Sequence, residues 1–446
     1  MPVASLAQSL PFDPADPKAA LTQLPQSAAV FVLYGEEAHF EPYIGRTPNL
    51  RGRLERLLQP SAKHPRRLQL AGRVRRIEWR LTGSEFESLL LQFEMLEKVY
   101  GTKCLERMHL GAPAFVRFLG SNAYPRIVVT HRPSQREADW AFGPFQSRTA
   151  AERFADEALK LFLLRRCTED LDPNPSHPGC VYSEMKMCLA PCYRGCTDER
   201  YAEEAAAVES FLATRGDNRL VVLRTERDQA SANLEFESAA AIHAQVQRVE
   251  AVRALAPELV RPLSQLRAVI LQSSANSDEV AVFLFEDGRL RGPAAFSTVG
   301  MRIQNEQSGS SSLFAQPMVI EPIPEETGVG DQGLGISLGR SGETESTSED
   351  TLSAGIAASD ATHAKLKRGL LEARMEAALA VLTELAVAPT STLRQGHLAL
   401  LKRWYYRPEA RRTGEIFFPD PEDRWPVKAM LRGVGRVAGS RFKLLT

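Results

Sequence analysis

The stretch YIGRTPNLRGRL, residues 43–54, decides how the first hundred residues are read. Pro42, Tyr43, Ile44 and Gly45 suit the start of a short strand. Asn49 suits a helix cap, and leucines 50, 54, 57 and 58 then share one face. Arg46, Arg51 and Arg53 crowd the same segment. A tyrosine, a glycine turn and clustered guanidinium groups point to a phosphate, whose oxygens the arginine fork matches.

Working outward, VFVLYGEE (30–37) reads as a strand before this segment and VRRIEWRLT (74–82) as one after it. SEFESLLLQFEMLEKVYG (84–101) reads as a helix, with Ser84 and Glu87 as a capping box. The order β-β-α-β-α predicts a small α+β domain over 26–105, preceded by a flexible tail over 1–25.

Further on, AYPRIVVTHR (123–132) predicts a strand, and FGPFQSRTAAERFADEALKLF (142–162) a turn into a helix capped by Ser147. Residues 106–200 form a linker strand, a helix and a cysteine-rich region; 201–260 read as helical. A β-hairpin pair follows within 261–302, turning at Asp287-Gly288. Residues 303–362, rich in Gly, Ser and acid, predict a disordered insert. HAKLKRGLLEARMEAALAVLTELAV (363–387) is a helix, and 363–446 ends in a basic, aromatic region. The whole reads as an α+β multidomain chain with a C-terminal α/β remnant.

A chain of 446 residues exceeds one ordinary core, so several domains are expected. Formal net charge is zero, which confines any nucleic-acid surface to a local patch. Such a patch exists between 46 and 80, where Glu55 and Glu78 are the acids among eleven bases, a net +9. Arg51, Arg56, Arg73, Arg75 and Arg76 are its candidate DNA contacts. In LKRWYYRPEARR (401–412) the aromatic rings could stack on bases; the favoured reading places them in a core with arginines at its rim. No apolar run is long enough to predict a membrane span. The first residues lack a secretory pattern, so a cytoplasmic location is expected.

Five of six cysteines lie between 167 and 196. Cys167, Cys180, Cys188 and Cys192 in one irregular loop could hold a [4Fe–4S] cluster or a structural zinc. Spacing alone does not choose between them.

Taken together, Ala29-Val30-Phe31, Tyr43-Ile44-Gly45, NLRGRL (49–54), the helix LLLQFEMLEK, AYPRIVVT, FGPF, the cysteine cluster and LEFESAAAIHAQV (234–246) occur in the order found in UvrC. The chain resembles the UvrC family over roughly 26–260, beginning with its GIY-YIG nuclease domain. The resemblance implies a DNA-repair protein of nucleotide excision repair that binds damaged DNA with UvrB and, if active, hydrolyses a phosphodiester near the lesion with Mg²⁺ or Mn²⁺. The alternative is an inactive homologue that only binds DNA or UvrB. By position Tyr43, Arg46 and Arg53 fall on the catalytic set, and Gln92 on the metal-binding glutamate. Phe31 replaces a tyrosine of the first triplet, and Cys104 stands near a later asparagine.

An amide holds Mg²⁺ poorly, and Ser88, Leu89, Met95 and Leu96, one turn from Gln92, supply no acid. Slow or absent cleavage is therefore expected. The resemblance favours iron–sulfur for the cysteines, through CLAPC (188–192), and a clamp between the nuclease-like domain and the helices behind it. It assigns 234–252 to a UVR hairpin that docks on UvrB, with His243 and Ala244 in place of an Arg-Asp pair. After 260 no Asp-rich strand constellation is evident, and LRGVGRV (431–437) reads as a turn.

Overall fold

The computed structural model describes residues 6–36, 41–58, 70–134, 136, 139–299, 301, 369–384 and 389–442. The expected insert at 303–362 lies outside the described residues, as do Lys63, Arg66 and Arg67 of the basic run.

An antiparallel sheet of order β1-β4-β2-β3 forms the first layer, from β1 Gln8–Pro11, β2 Ala29–Gly35, β3 Tyr43–Thr47 and β4 Val74–Leu81. Its helices are α1 Pro17–Leu21, α2 Leu50–Leu58, α3 Glu85–Tyr100 and the short α4 Cys104–Arg107. From β2 to α3 the order is the expected β-β-α-β-α. The flexible tail needs correcting. β1 is an edge strand on β4, and Phe12, Leu21 and Leu24 are buried in the domain, which fastens this segment down.

Two-residue periodicity gives the sheet two apolar faces. Phe31, Leu33 and Ile77 pack on Leu50, Leu54 and Leu58, all fully buried. Each such leucine contributes about 2 kcal/mol. Val32 faces the other way, into a core with Ile44 and with Phe86, Leu89 and Phe93 of α3. Only half of the expected capping box forms. The Glu87 amide donates to Ser84 Oγ at 3.1 Å, but the Glu87 carboxylate accepts from the Gly83 amide instead.

The middle sheet has order β6-β5-β7-β8, from β5 Ala114–Leu119, β6 Ile127–Thr130, β7 Asp139–Phe145 and β8 Arg261–Pro262. The sequence reading missed β5, and FGPF belongs to β7 rather than a turn. Phe142 and Phe145 are drawn into the sheet by packing on Phe154, at 5.2 and 5.3 Å between ring centroids. Around them stand α5 Arg148–Leu159, α6 Val181–Glu184, α7 Asp198–Ala213, α8 Asp217–Ala232 and α9 Phe236–Ala254. Ser147 caps α5 as expected.

A third antiparallel sheet has order β11-β10-β9-β12, from β9 Ala268–Ser273, β10 Glu279–Glu286, β11 Arg289–Ser297 and β12 Glu415–Phe417. Asp287 (φ 53°) and Gly288 (φ 76°) are both left-handed, as a tight hairpin turn requires. Helices α10 (369–384), α11 Ser391–Tyr405 and α12 Val427–Phe442 complete this layer. LRGVGRV is not a turn but lies inside α12. Met430, Val434 and Val437 recur at helical spacing and are buried against β9 and β10, which outweighs the helix-weakening glycines.

Helix α3 is shared between layers. Its Phe86 meets Phe283 of β10 and Trp404 of α11, at 5.2 and 5.4 Å. Its Phe93 meets His397 of α11 at 5.4 Å. The N-terminal and C-terminal layers therefore share one core.

Candidate functional site

At the rim of the first sheet, beside α3, lies a cavity of about 430 Å³. Tyr43, Arg46, Arg53 and Gln92 all line it, so the four predicted site residues come together. The glycine of the YIG triplet has a steric cause. β2 and β3 pair Phe31 with Gly45, and a Cβ on Gly45 would stand 2.6 Å from Phe31 Cζ. The Phe31 ring, which replaces a phenol, fills the floor and lies 6.0 Å from the Tyr43 ring. Tyr43 is 36% exposed at the mouth. Asn49 starts α2, accepting from the Gly52 amide at 2.8 Å, and this sets Arg53 one turn inside the helix.

Sequence reasoning missed three charged contributors. Arg107 of α4 and Arg403 of α11 also line the cavity. Arg403 lies in the basic, aromatic stretch 401–412, but its place in this cavity comes only from the tertiary packing of α11; Arg107 carried no local signal. Glu85 is the third. It lies seven residues before Gln92, two helical turns, and so shares its face. Arg46 Nη1 is 3.5 Å from Glu85 Oε1, while Arg407 forks onto both Glu85 oxygens at 2.8 Å. Hydrogen bonding from Arg407 holds the Glu85 carboxyl below the usual carboxylate range, against the opposing effect of burial. Burial lowers the Arg46 pKa from its ordinary value, Glu85 opposes this, and Arg403 and Arg407 reinforce it by repulsion.

A divalent cation does not fit these residues. Among the described residues lining the cavity there is no Asp or Glu. Both oxygens of Glu85 are held by arginine. Glu87 turns to the Gly83 amide at 2.9 Å. Glu94 is elsewhere on the helix, near Lys98 and Arg289, its carboxyl raised above the usual range chiefly by burial.

None of the other predicted DNA contacts lines the cavity. Arg51 Nε donates to the Leu24 carbonyl at 2.6 Å, which makes it a strut for the chain entering β2. Arg56 returns to Gly52 of its own helix, and Arg75 meets Glu36. Arg76 pairs with Glu78 and lies over the Tyr34 ring. Arg73 sits just before β4. The aromatic trio is core and rim, as favoured. Trp404 is buried and donates to the Thr413 carbonyl, and Tyr406 donates to that of Pro144.

Cys167, Cys180, Cys188 and Cys192 are all free thiols. They stand close enough to affect one another. Burial, then the other three sulfurs, push the Cys188 thiol up to about 11. The Ala190 amide lies 3.3 Å from Cys188 Sγ, and Arg165 Nη1 lies 3.7 Å from Cys167 Sγ, so two N–H groups point at sulfur. Among the described residues no three His, Cys, Asp or Glu side chains form a closed ligand group. The donor chemistry suits a soft metal or a cluster. The loop is tied within the middle domain, by Leu189 to Leu163 and by Arg165 to Tyr201. The expected clamp to the first domain is corrected accordingly.

Helices α8 and α9 form a hairpin in which Val246, Val249 and Val252 are buried. Near its turn Leu234 and Phe236 are 72% and 65% exposed. Among the described residues no helix is long and apolar enough to cross a membrane.

Residues 115–211 match the family model of the UvrC/Cho excinuclease middle domain. The chain is 27% identical over 281 residues to the UvrABC system protein C of Alcanivorax borkumensis, covering 63% of this chain and 46% of that protein. With the protein of the same name from Ruminiclostridium cellulolyticum it shares 28% identity over 316 residues, 69% and 50% of the two chains. With that of Shigella dysenteriae it shares 30% over 243 residues, 54% and 41%. The chain thus spans about half the length of the curated relatives it matches. No solved structure matches. The chain is therefore similar to UvrC proteins over roughly half to two thirds of its length, and its residues 115–211 match the UvrC/Cho middle domain.

Proposed function

We propose that this protein acts in nucleotide excision repair as a DNA-binding UvrC homologue, gripping a strand at the Tyr43 cavity. The observation that carries this reading is the convergence of Arg46, Arg53, Arg107 and Arg403 on one cavity without a lining carboxylate. Guanidinium groups in a partly enclosed site supply the field and the forked donors a phosphodiester needs. The element order and the YIG segment of β3, with Gly45 against Phe31, support a GIY-YIG-type domain. Hydrolysis there is slow or absent, because no lining side chain supplies the negative charge that anchors a divalent ion. Arg51, Arg56, Arg73, Arg75 and Arg76 add a sequence-independent positive field for the rest of the strand.

Cys167, Cys180, Cys188 and Cys192 hold a [4Fe–4S] cluster or a structural zinc. Such a group, when bound, cross-links the loop and replaces local packing. The α8–α9 hairpin docks on a UvrB-type hairpin through Leu234 and Phe236, whose exposure supports an apolar partner surface. A cytoplasmic location follows from this role.

The test is a nicking assay on lesion-bearing duplex with Mg²⁺ or Mn²⁺. The protein is expected to retard the duplex and leave it intact, while Gln92→Glu nicks it in Mn²⁺. Failure to retard the duplex overturns the DNA-binding reading. Wild-type nicking that Arg53→Ala abolishes overturns the absence of cleavage.

A further inference from the structure

Four arginines line the cavity, and two of them are engaged by carboxylates: Arg46 by Glu85 at 3.5 Å and Arg107 by Glu41 at 2.7 Å. Arg53 and Arg403 have no hydrogen-bond or ion-pair partner for their guanidinium groups among the described residues. They come from opposite ends of the chain, Arg53 on α2 of the first layer and Arg403 on α11 of the last.

The backbone under Arg403 is fixed on both sides. Trp404 is buried against Phe86 and donates to the Thr413 carbonyl at 3.0 Å. Arg407, four residues on, forks onto Glu85 of α3. That fork uses both oxygens of Glu85. Glu85 offsets the repulsion that Arg403 and Arg407 exert on Arg46, but Arg53 and Arg403 keep their forked donors unused, and an anion entering the cavity would engage both. A phosphodiester is the anion that fits both the charge and the forked donors.

Resting on the DNA-binding reading above, we infer that Arg403 is a strand-binding residue of the N-terminal cavity, and that with Arg53 it grips one backbone phosphate across the junction of α2 and α11. The C-terminal layer then contributes to the site directly. Docking of α11 on α3 is a condition of tight binding, since Arg403 reaches the cavity only when docked.

The full chain is titrated with a fluorescein-labelled single-stranded oligodeoxynucleotide, reading anisotropy. Arg53→Ala and Arg403→Ala each weaken binding about tenfold. The double variant loses clearly less than the product of the two, because both side chains hold one phosphate. Arg403→Lys restores part of the loss, and Arg224→Ala, whose side chain pairs with Glu250 on the hairpin, changes nothing. If Arg53→Ala weakens binding and Arg403→Ala does not, the shared grip is overturned while the DNA-binding reading stands. A double variant that loses the full product also overturns one shared phosphate. If neither single variant changes Kd although the oligonucleotide binds, the cavity reading itself fails. Unchanged urea midpoints for the variants exclude misfolding as the cause.

Discussion

Arg407 and Glu85, 322 residues apart in sequence, meet in a forked ion pair with both N···O distances at 2.8 Å. The pair has two consequences. It pins α11 to the start of α3, and it occupies Glu85, the one acid among the described residues of α3 on the face of Gln92. A carboxylate so held by arginine is a latch between layers and not a metal ligand.

Removing the latch should have a small and pH-dependent cost. Glu85 is partly exposed, so Glu85→Gln should lower stability by about 1 kcal/mol or less. The folded-state pKa of Glu85 lies below its ordinary value. Its contribution is therefore present above the ordinary carboxylate range and is lost as pH falls through the depressed folded value. Urea unfolding should separate wild type from Glu85→Gln at neutral pH and bring them together in acid.

The interface between α3 and α11 needs a glycine. A Cβ on Gly396 would collide with the ring of Phe93. Gly→Ala inside a helix ordinarily stabilises by up to about 1 kcal/mol. Here overpacking costs about 1–3 kcal/mol, so Gly396→Ala should destabilise, read as a lower urea midpoint. A higher midpoint would show that the two helices are not in this contact.

His397 beside it stays neutral. It is 1% exposed, and its Nδ1 accepts from the Leu290 amide at 3.1 Å. Burial, helped by Arg289, pushes its pKa down to about 3. The unfolded chain takes up this proton near pH 6.5 and the folded chain does not. Stability should therefore fall as pH drops below about 6, by up to about 1.4 kcal/mol per unit from this one group. A calorimetric series that compares wild type with His397→Gln should show that difference in slope.

At the hairpin tip, Phe236→Ala should leave stability within about 0.5 kcal/mol of wild type, because the ring is largely exposed. Binding to a UvrB-type partner should weaken about tenfold or more, as for an apolar anchor. Equal affinity for both proteins, measured by calorimetry, would remove the hairpin from the interface.

Much of the first layer was legible because its signals are local. Asn49 caps α2, leucines 50, 54 and 58 repeat at helical spacing, and 74–82 alternates. β5 was missed because Phe115, Val116 and Phe118 form an apolar run without clean alternation, buried on both sides. Residues 8–24 were misjudged because their short apolar positions acquire meaning only against β4 and α2. Glycines 433 and 435 suggested a turn. Gly433 instead lets α12 approach the Phe417 ring, 2.5 Å from where a Cβ would lie. The site followed the same division: Tyr43, Arg46, Arg53 and Gln92 could be placed from motif spacing, whereas Arg403 and Arg407 arrive through tertiary packing alone.

The most direct test is the salt dependence of Kd for a single-stranded oligodeoxynucleotide, for wild type and Arg53→Ala. The account predicts a steep fall in wild-type affinity with salt, with a log–log slope shallower in the variant by up to about 0.7, the share of one phosphate contact, because Arg403 still holds part of it. A flat wild-type dependence, or a slope that Arg53→Ala leaves unchanged, would contradict it.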